Sequence, residues 1–244
     1  MANSPKLRLD QVLVDRGLAE SREKARALVL AGAVLVNGQK AAKPGHAIPA
    51  GAAIHVTQRP PYVSRGGFKL AAALDAFHLD VAGAVCLDVG ASTGGFTDCL
   101  LQRGAARVYA VDVGHNQLDW RIRTDPRVVV REGVNARYLQ PADLPEPVDL
   151  AVCDVSFISV TLILPVIPPL LAPQGKMIVL VKPQFEAGKS DVGKGGIVRD
   201  PLVHRAVCAR VRAAVEQLGF QTDHIESPIL GAEGNREFLL YGWH

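Results

Sequence analysis

The chain has 244 residues, 48% of them hydrophobic and 21% charged, with a net charge of +3. This composition excludes wholesale disorder, and the length accommodates one or two domains with a sizeable core. The charge is unevenly spread: residues 1–60 carry nine Lys and Arg against four Asp and Glu, a net of +5, whereas residues 61–244 carry 18 against 20, a net of −2.

A basic module on a near-neutral body points to a polyanion-binding appendage, with a solvated basic surface as the plain alternative. No apolar leader is visible at the start, which points to a cytoplasmic protein. The most apolar stretch, residues 158–173, is shorter than the roughly 20 residues of a membrane helix and holds Pro165, Pro168 and Pro169. No membrane span is expected. Cys86, Cys99, Cys153 and Cys208 show no C-x-x-C spacing and the seven histidines are scattered. Reduced thiols are therefore expected, with neither disulfide framework nor metal site.

In chain order, Leu7, Leu9, Val12 and Leu13 read as a short helix ending at Gly17. Ser21 is an N-cap for a second helix with Ala25, Leu28 and Val29 on one face, closed by Gly32. Residues 34–39 run as an apolar strand into an Asn37-Gly38 hairpin turn, and residues 53–56 form a closing strand. Gln58-Arg-Pro-Pro-Tyr62 is a stiff linker. The boundaries expected are 1–58 for the first domain, 59–64 for the linker and 65–244 for the second domain.

A helix is expected over 68–77. Strands follow at 84–89, 107–112, 128–131, 150–154, 177–182, about 224–228 and 237–243. The first five are apolar and separated by helix-length segments, which argues for a parallel sheet covered by helices. Between the fifth and sixth lies a helix with Asp200 as N-cap, Pro201 at N1 and Gly219 beyond its end. The last two strands must pair as a hairpin, so the final strand runs antiparallel. The fold class is α/β, a Rossmann-like sheet with a small N-terminal α+β domain.

The cofactor signal is Asp88-x-Gly90-Ala-Ser92-Thr93-Gly94-Gly95-Phe96, a strand end, a tight turn and a helix start. It departs from G-x-G-x-x-G because Ser92 occupies the third position. Asp112 ends the next strand, 22 residues after Gly90, where a carboxylate can take both hydroxyls of an adenosine ribose. Asp88 would repel a pyrophosphate and suits a cationic ligand, so S-adenosylmethionine is favoured. A nucleotide and a purely structural turn are the alternatives. Glu132-Gly-Val-Asn135 lies where adenine-edge contacts arise. Gly188-Lys189-Ser190 is not a P-loop, because Pro183 stands where its first glycine is needed.

Asp154 and Lys182 each close an apolar strand at the carboxyl edge, where open α/β folds bind ligands. Buried charges need partners, and 28 residues, about one β-α-β unit, separate the two. An isolated salt bridge is the plain alternative. Residues 186–196, with four glycines and with Lys189 and Lys194, form a lid tracking RNA phosphates or a plain flexible loop.

Leu9-Asp10-x-x-Leu13, Ser21-Arg22-x-x-Ala25, Gly32-x-Val34-x-Val36-Asn37-Gly38 and Lys43-Pro44 resemble a small RNA-binding domain found in a small-subunit ribosomal protein, in pseudouridine synthases and in bacterial tyrosyl-tRNA synthetases. The resemblance makes Arg8, Arg22 and Arg26 candidate phosphate contacts. The order Lys69, Asp154, Lys182, Glu237 resembles the Lys-Asp-Lys-Glu tetrad of ribose 2′-O-methyltransferases of the FtsJ/RrmJ type. Ser64-Arg-Gly-Gly-Phe-Lys69, Asp88 to Phe96, Cys153-Asp-Val-Ser-Phe157, Leu180-Val-Lys-Pro-Gln-Phe-Glu186 and Asn235-Arg-Glu-Phe238 carry the likeness.

From residue 7 to 244 the chain looks like the TlyA family of haemolysin-named ribosomal RNA methyltransferases. That implies a class I methyltransferase fold, S-adenosylmethionine as cofactor, a cytidine 2′-hydroxyl as target, and ribosomal RNA or subunits as partner of a monomer. Lys182 would orient the hydroxyl and stabilise developing alkoxide charge, Asp154 would orient Lys182 and the hydroxyl, Lys69 would add positive charge near the target, Glu237 would hold the lysines, Phe157 would stack on the target nucleoside unless it belongs to the core, and Arg65 would join Lys189 and Lys194 on RNA. The tetrapeptide Asp154-Val-Ser-Phe157 lacks the prolines of a base N-methyltransferase. A membrane-active haemolysin and a non-catalytic ribosome-assembly factor are the competing functions.

Overall fold

The computed structural model describes residues 6–30, 32–41, 43–57, 61–231 and 233–244. The chain divides into two compact units, one reaching to Pro61 and the other running from Tyr62 to His244. Part of the expected linker, Gln58 to Pro60, lies outside the described residues. Tyr62 and Val63, expected in that linker, pack on the core of the second unit.

The first unit contains β1 (Lys6–Arg8), α1 (Leu9–Asp15), α2 (Arg22–Leu30), β2 (Val34–Val36), β3 (Gln39–Lys40), β4 (Ala47–Pro49) and β5 (Ile54–Val56). Strands β3, β2 and β5 make an antiparallel sheet, and β1 pairs with β4. Asn37 (φ 50°) and Gly38 (φ 81°) turn β2 into β3, and two positive φ values give a turn whose twist matches the strands. The Ser21 hydroxyl accepts the Lys24 N–H at 3.2 Å, a cap at the start of α2. Leu9, Val12, Leu13, Ala25, Val29, Val34 and Ile48 form the core. Residues 6–8 are extended rather than helical, because β4 offers them a partner that local spacing does not reveal.

The second unit opens with α3 (Gly66–Ala76). It continues with β6 (Val85–Val89), α4 (Gly95–Gln102), β7 (Arg107–Asp112), α5 (Trp120–Arg123), β8 (Val128–Glu132), β9 (Val148–Cys153), β10 (Leu171–Val181), α6 (Pro183–Glu186), α7 (Pro201–Glu216), β11 (Gln221–Glu226) and β12 (Phe238–Trp243). The sheet order is β11-β12-β10-β9-β6-β7-β8. Strands β8, β7, β6, β9 and β10 are parallel, and β12 runs antiparallel to both β10 and β11. All seven expected strands are present. The chain winds from β6 outward to β8 and then crosses to β9, so the strand order reverses at β6/β9. Such a crevice is where doubly wound sheets hold ligands.

One core lies on each face of the sheet. Helices α3 and α4 cover one, through Leu70, Leu74, Phe96 and Leu100. Helix α7 and the β9–β10 connection cover the other, through Ile163, Leu164, Ile167, Val207 and Val211. The connection is not a continuous α-helix. Pro165, Pro168 and Pro169 break it into 3-10 turns at Val160–Leu162, Leu164–Val166 and Pro168–Leu170, since proline lacks an N–H and clashes within a helix. This apolar stretch is core, and no described helix is long and apolar enough to cross a membrane. Helix α7 begins as expected, with the Asp200 carboxylate accepting the Leu202 N–H at 2.8 Å. The four cysteines are free thiols.

Candidate active site

The site grows from the turn after β6. Gly90 has φ +85°, and a Cβ there would lie 2.4 Å from the Asp154 carbonyl oxygen. This close approach exists because the Asp154 N–H bonds to the Val89 carbonyl at 2.9 Å, fastening the loop after β9 to the turn after β6. A Cβ at Gly95 would sit 2.1 Å from the Ser64 Oγ, so only glycine lets the start of α4 meet the segment leading into α3. Gly94 (φ +93°) faces Leu118 and Ile122 behind the turn.

Two cavities meet at this turn. The larger, about 450 Å³, has an apolar side of Val111, Val113, Val134, Ile158 and Ile163 and polar groups from Ser92, Asp112, Gln117, Asn135 and Asp154. The smaller, about 140 Å³, is lined by Ser64, Lys69, Thr93, Gly95, Phe96, Ser156 and Lys182. Gly90, Ser92, Asp154 and Ser156 border both.

Asp112 and Asp154 line the larger cavity, whereas Asp88 lies beneath the turn and lines neither cavity. The Asp112 side chain accepts the N–H groups of Ser92 and Gly114, both at 2.7 Å, leaving each oxygen a second lone pair. Asp88 is fully buried. Its Oδ2 accepts the Thr97 hydroxyl at 2.6 Å, and its Oδ1 has no hydrogen-bond partner among the described residues. Burial, reinforced by the nearby Asp154 and Asp112 and opposed by Thr97, pushes the Asp88 carboxyl up to about 7. A buried oxygen without a partner beside two further carboxylates suits a cationic ligand and disfavours a pyrophosphate. Glu132 is not in the cavity; it accepts the Asn116 N–H at 2.9 Å and pairs with Arg123. Asn135 alone of that segment's polar residues lines the larger cavity.

Lys69 and Lys182 both reach the smaller cavity. Lys182 Nζ lies 2.5 Å from Asp154 Oδ1 and donates to Ser156 Oγ at 2.8 Å. Lys69 Nζ lies 2.5 Å from Glu237 Oε2. The expectation that Glu237 holds both lysines is corrected: each lysine has its own carboxylate, because β12 brings Glu237 to the α3 side whereas Asp154 and Lys182 end neighbouring strands. Two ammonium groups on one small pocket can hold an oxygen nucleophile and offset the negative charge that develops on it. Sequence reasoning gives Ser156 and Ser64 no role. Ser156 lies between Asp154 and Phe157 in sequence, but only the folded loop brings its hydroxyl to Lys182.

The candidate RNA contacts are shared between the two units. In the first unit, Arg8 Nη2 lies 2.8 Å and Arg22 Nη2 3.3 Å from Oδ2 of the buried Asp10. These guanidinium groups, Arg8 foremost, hold the Asp10 carboxyl down at about 2. Both arginines are half exposed, and Arg26 borders a groove on α2 with Arg22 and Leu30. In the second unit, Arg65 donates to the Leu230 carbonyl at 2.6 Å, and Lys189 and Lys194 are exposed. Phe157 is 91% exposed with φ +64°, so it is not a core residue.

Residues 62–243 match the FtsJ-like methyltransferase family and residues 7–54 match the S4 domain. YqxC of Bacillus subtilis is 51% identical over 98% of this chain and 86% of its own length. The 16S/23S rRNA (cytidine-2′-O)-methyltransferase TlyA of Mycobacterium tuberculosis is 48% identical over 96% of this chain and 88% of its own. The solved structure of a "putative hemolysin" from Streptococcus thermophilus is 46% identical, covers 98% of this chain and 88% of its own, and superposes with a TM-score of 0.75. The chain therefore belongs to the TlyA family, with an S4 domain at its amino end and an FtsJ-like methyltransferase domain after it.

Proposed function

We propose that this enzyme methylates a ribose 2′-hydroxyl of ribosomal RNA, on cytidine, with S-adenosylmethionine as donor. The observation that carries the reading is the Lys182–Asp154 pair on a small pocket that shares Gly90, Ser92, Asp154 and Ser156 with a larger, partly apolar cavity. Such an arrangement sets a nucleophile pocket directly against a cofactor cavity. The name of the Mycobacterium tuberculosis relative supports the same target.

Asp88, Gly90, Ser92, Thr93, Gly94, Gly95, Phe96, Asp112, Asn135 and Asp154 hold the cofactor in this reading. Bound there, S-adenosylmethionine supplies an electrophilic methyl group. Lys182 orients the 2′-oxygen and offsets its charge as the hydroxyl proton passes to solvent and the O–CH3 bond forms. Asp154 and Ser156 fix the Lys182 ammonium. Lys69, held by Glu237, adds a second positive charge. Phe157 offers a ring to the target nucleoside. Arg8, Arg22 and Arg26 of the S4 domain, with Arg65, Lys189 and Lys194, bind phosphates and position the substrate without reading sequence. A monomer in the cytoplasm, where ribosomal RNA resides, satisfies all of these roles.

The test is transfer of labelled methyl groups to ribosomal RNA or subunits by the pure protein, with mass-spectrometric mapping of the ribose. Methylation at a cytidine 2′-oxygen is expected. No transfer, or transfer to a base, overturns the reading. Leakage of liposomes by the pure protein, unchanged by Asp88→Ala, favours a membrane-active haemolysin.

Asp88 adds a pH signature. Its folded carboxyl sits at about 7 against an ordinary value near 3.8, so the folded state binds the extra proton between those limits. The associated stability is fully present below the lower value and is lost as pH rises through the upper one. A cationic ligand draws the carboxyl back to its ionised form. Cofactor binding at pH 7 should therefore release on the order of half a proton. Calorimetry in buffers of different ionisation enthalpy reads this as a slope, absent in Asp88→Asn. A zero slope in the wild type refutes the assignment of Asp88.

A further inference from the structure

Asp154 and Lys182 stand on two different loops, and one side chain outside both cavities fastens those loops together. The loop leaving β9 runs from Asp154 through Ser156 and Phe157 to Ser159. Lys182 follows β10 and leads at once into α6, whose last residue is Glu186. The Glu186 Oε1 accepts the Val160 N–H and its Oε2 accepts the Ser159 hydroxyl, both at 2.6 Å. Glu186 is only 7% exposed. Arg210 of α7 stands 3.6 Å from Oε2 and also donates to the Glu186 carbonyl. Above this junction the rings of Phe157 and Phe185, one from each loop, lie 5.2 Å apart.

The loop after β9 needs such a fastening. Phe157 occupies the left-handed region at φ +64°, which a residue with a side chain keeps only when its surroundings impose it. The near end of the loop is held by Asp154 N–H on Val89. The far end is held by Glu186.

We propose that Glu186 is a positioning residue for methyl transfer: by clamping the far end of the Asp154 loop to the segment behind Lys182, it sets the placement of the Lys182–Asp154 pair and of Phe157. The inference rests on the reading of Lys182 and Asp154 given above. Glu186 lines neither cavity, so it acts through these residues and not on the substrate.

The chemistry of the clamp dictates the test. A carboxylate has two acceptor oxygens, one for an N–H and one for an O–H. Glutamine keeps one acceptor for Val160 N–H, and its amide can donate to Ser159 Oγ, because a hydroxyl both donates and accepts. Glu186→Gln therefore preserves the clamp, Glu186→Ala removes it, and Ser159→Ala removes one of its two links.

The full-length variants are compared for kcat and KM on ribosomal RNA, S-adenosylmethionine affinity by calorimetry, and thermal unfolding, alongside wild type and Lys182→Ala. Glu186→Ala should lower kcat on the order of 10- to 100-fold, the size of effect that loosened alignment produces. KM and cofactor affinity should stay within about threefold, since the binding groups remain in place. Glu186→Gln should retain most of the wild-type kcat. Ser159→Ala should lower kcat partially, and the Ser159→Ala/Glu186→Ala double variant should fall no further than Glu186→Ala, because both act through one contact.

A folded Glu186→Ala with wild-type kcat overturns the proposal, as does a Gln variant as impaired as Ala. If Glu186→Ala does not fold, an unchanged kcat in Ser159→Ala overturns it equally. Wild-type-like transfer by Lys182→Ala would instead sink the reading of the pair itself, whatever Glu186 does.

Discussion

Lys182→Ala should lose methyl transfer by about 10³-fold or more, the scale expected when a group that both orients a nucleophile and offsets its charge is removed. Cofactor affinity should change little, because Lys182 borders the smaller cavity and not the larger. The two measurements are single-turnover transfer of labelled methyl to RNA and calorimetric binding of S-adenosylmethionine. Transfer at the wild-type rate would remove Lys182 from the mechanism. Lys182 is a cleaner probe than Lys69. The Asp154 side chain left behind is 21% exposed and can recover some hydration. The Glu237 side chain is 3% exposed, so Lys69→Ala would strand a buried charge, a loss of roughly 3–5 kcal/mol that mixes stability with chemistry.

Gly90→Ala should have the second largest effect, on stability and cofactor binding together. Left-handed backbone costs an L-residue roughly 1–2 kcal/mol. The new Cβ would also sit 2.4 Å from the Asp154 carbonyl oxygen and 2.9 Å from its carbon. Backbone atoms cannot swing aside, so overpacking adds roughly 1–3 kcal/mol. At about 2–4 °C per kcal/mol for a unit of this size, the thermal midpoint should fall by roughly 10 °C. Gly83→Ala is the control. Gly83 has φ +74°, and a Cβ there would meet no atom within 4 Å, so only the backbone term applies. Equal losses at the two glycines would show that the contact with Asp154 carries no weight.

What the sequence discloses follows from how local the cause is. The parallel strands are legible because each is a short apolar run bounded by turn signals, and α7 because Asp200, Pro201 and Gly219 act within one turn of its ends. The glycine turn is legible for a related reason: a ligand that meets backbone leaves its mark on the residues themselves. Strands β1 and β4 are not, since three residues with one long-range partner have no periodicity to read. The 3-10 turns after β9 are announced by prolines, but an apolar run alone leaves a helix equally plausible. Asp154 and Lys182 stand out as charges ending apolar strands. Lys69 and Glu237 look like surface residues until their order is compared with a known tetrad. Glu186 and Ser156 give no signal, because hydrogen bonds between two loops arise only when the sheet sets those loops side by side.

The reversed direction of β12 has a consequence for the timing of activity. Running opposite to its neighbours, that strand delivers its first residues to the carboxyl edge, and so Glu237 meets a lysine 168 residues earlier in the chain. β12 is also inserted between β10 and β11, and β11 reaches the sheet only through it. A ribosome making this protein therefore finishes the pocket only after every other strand of the sheet has emerged. Until then Lys69 lacks its counter-ion and the sheet ends at β10, so a nascent, nicked or trimmed chain without β12 can hold the glycine turn and the Lys182–Asp154 pair but not the Lys69–Glu237 pair.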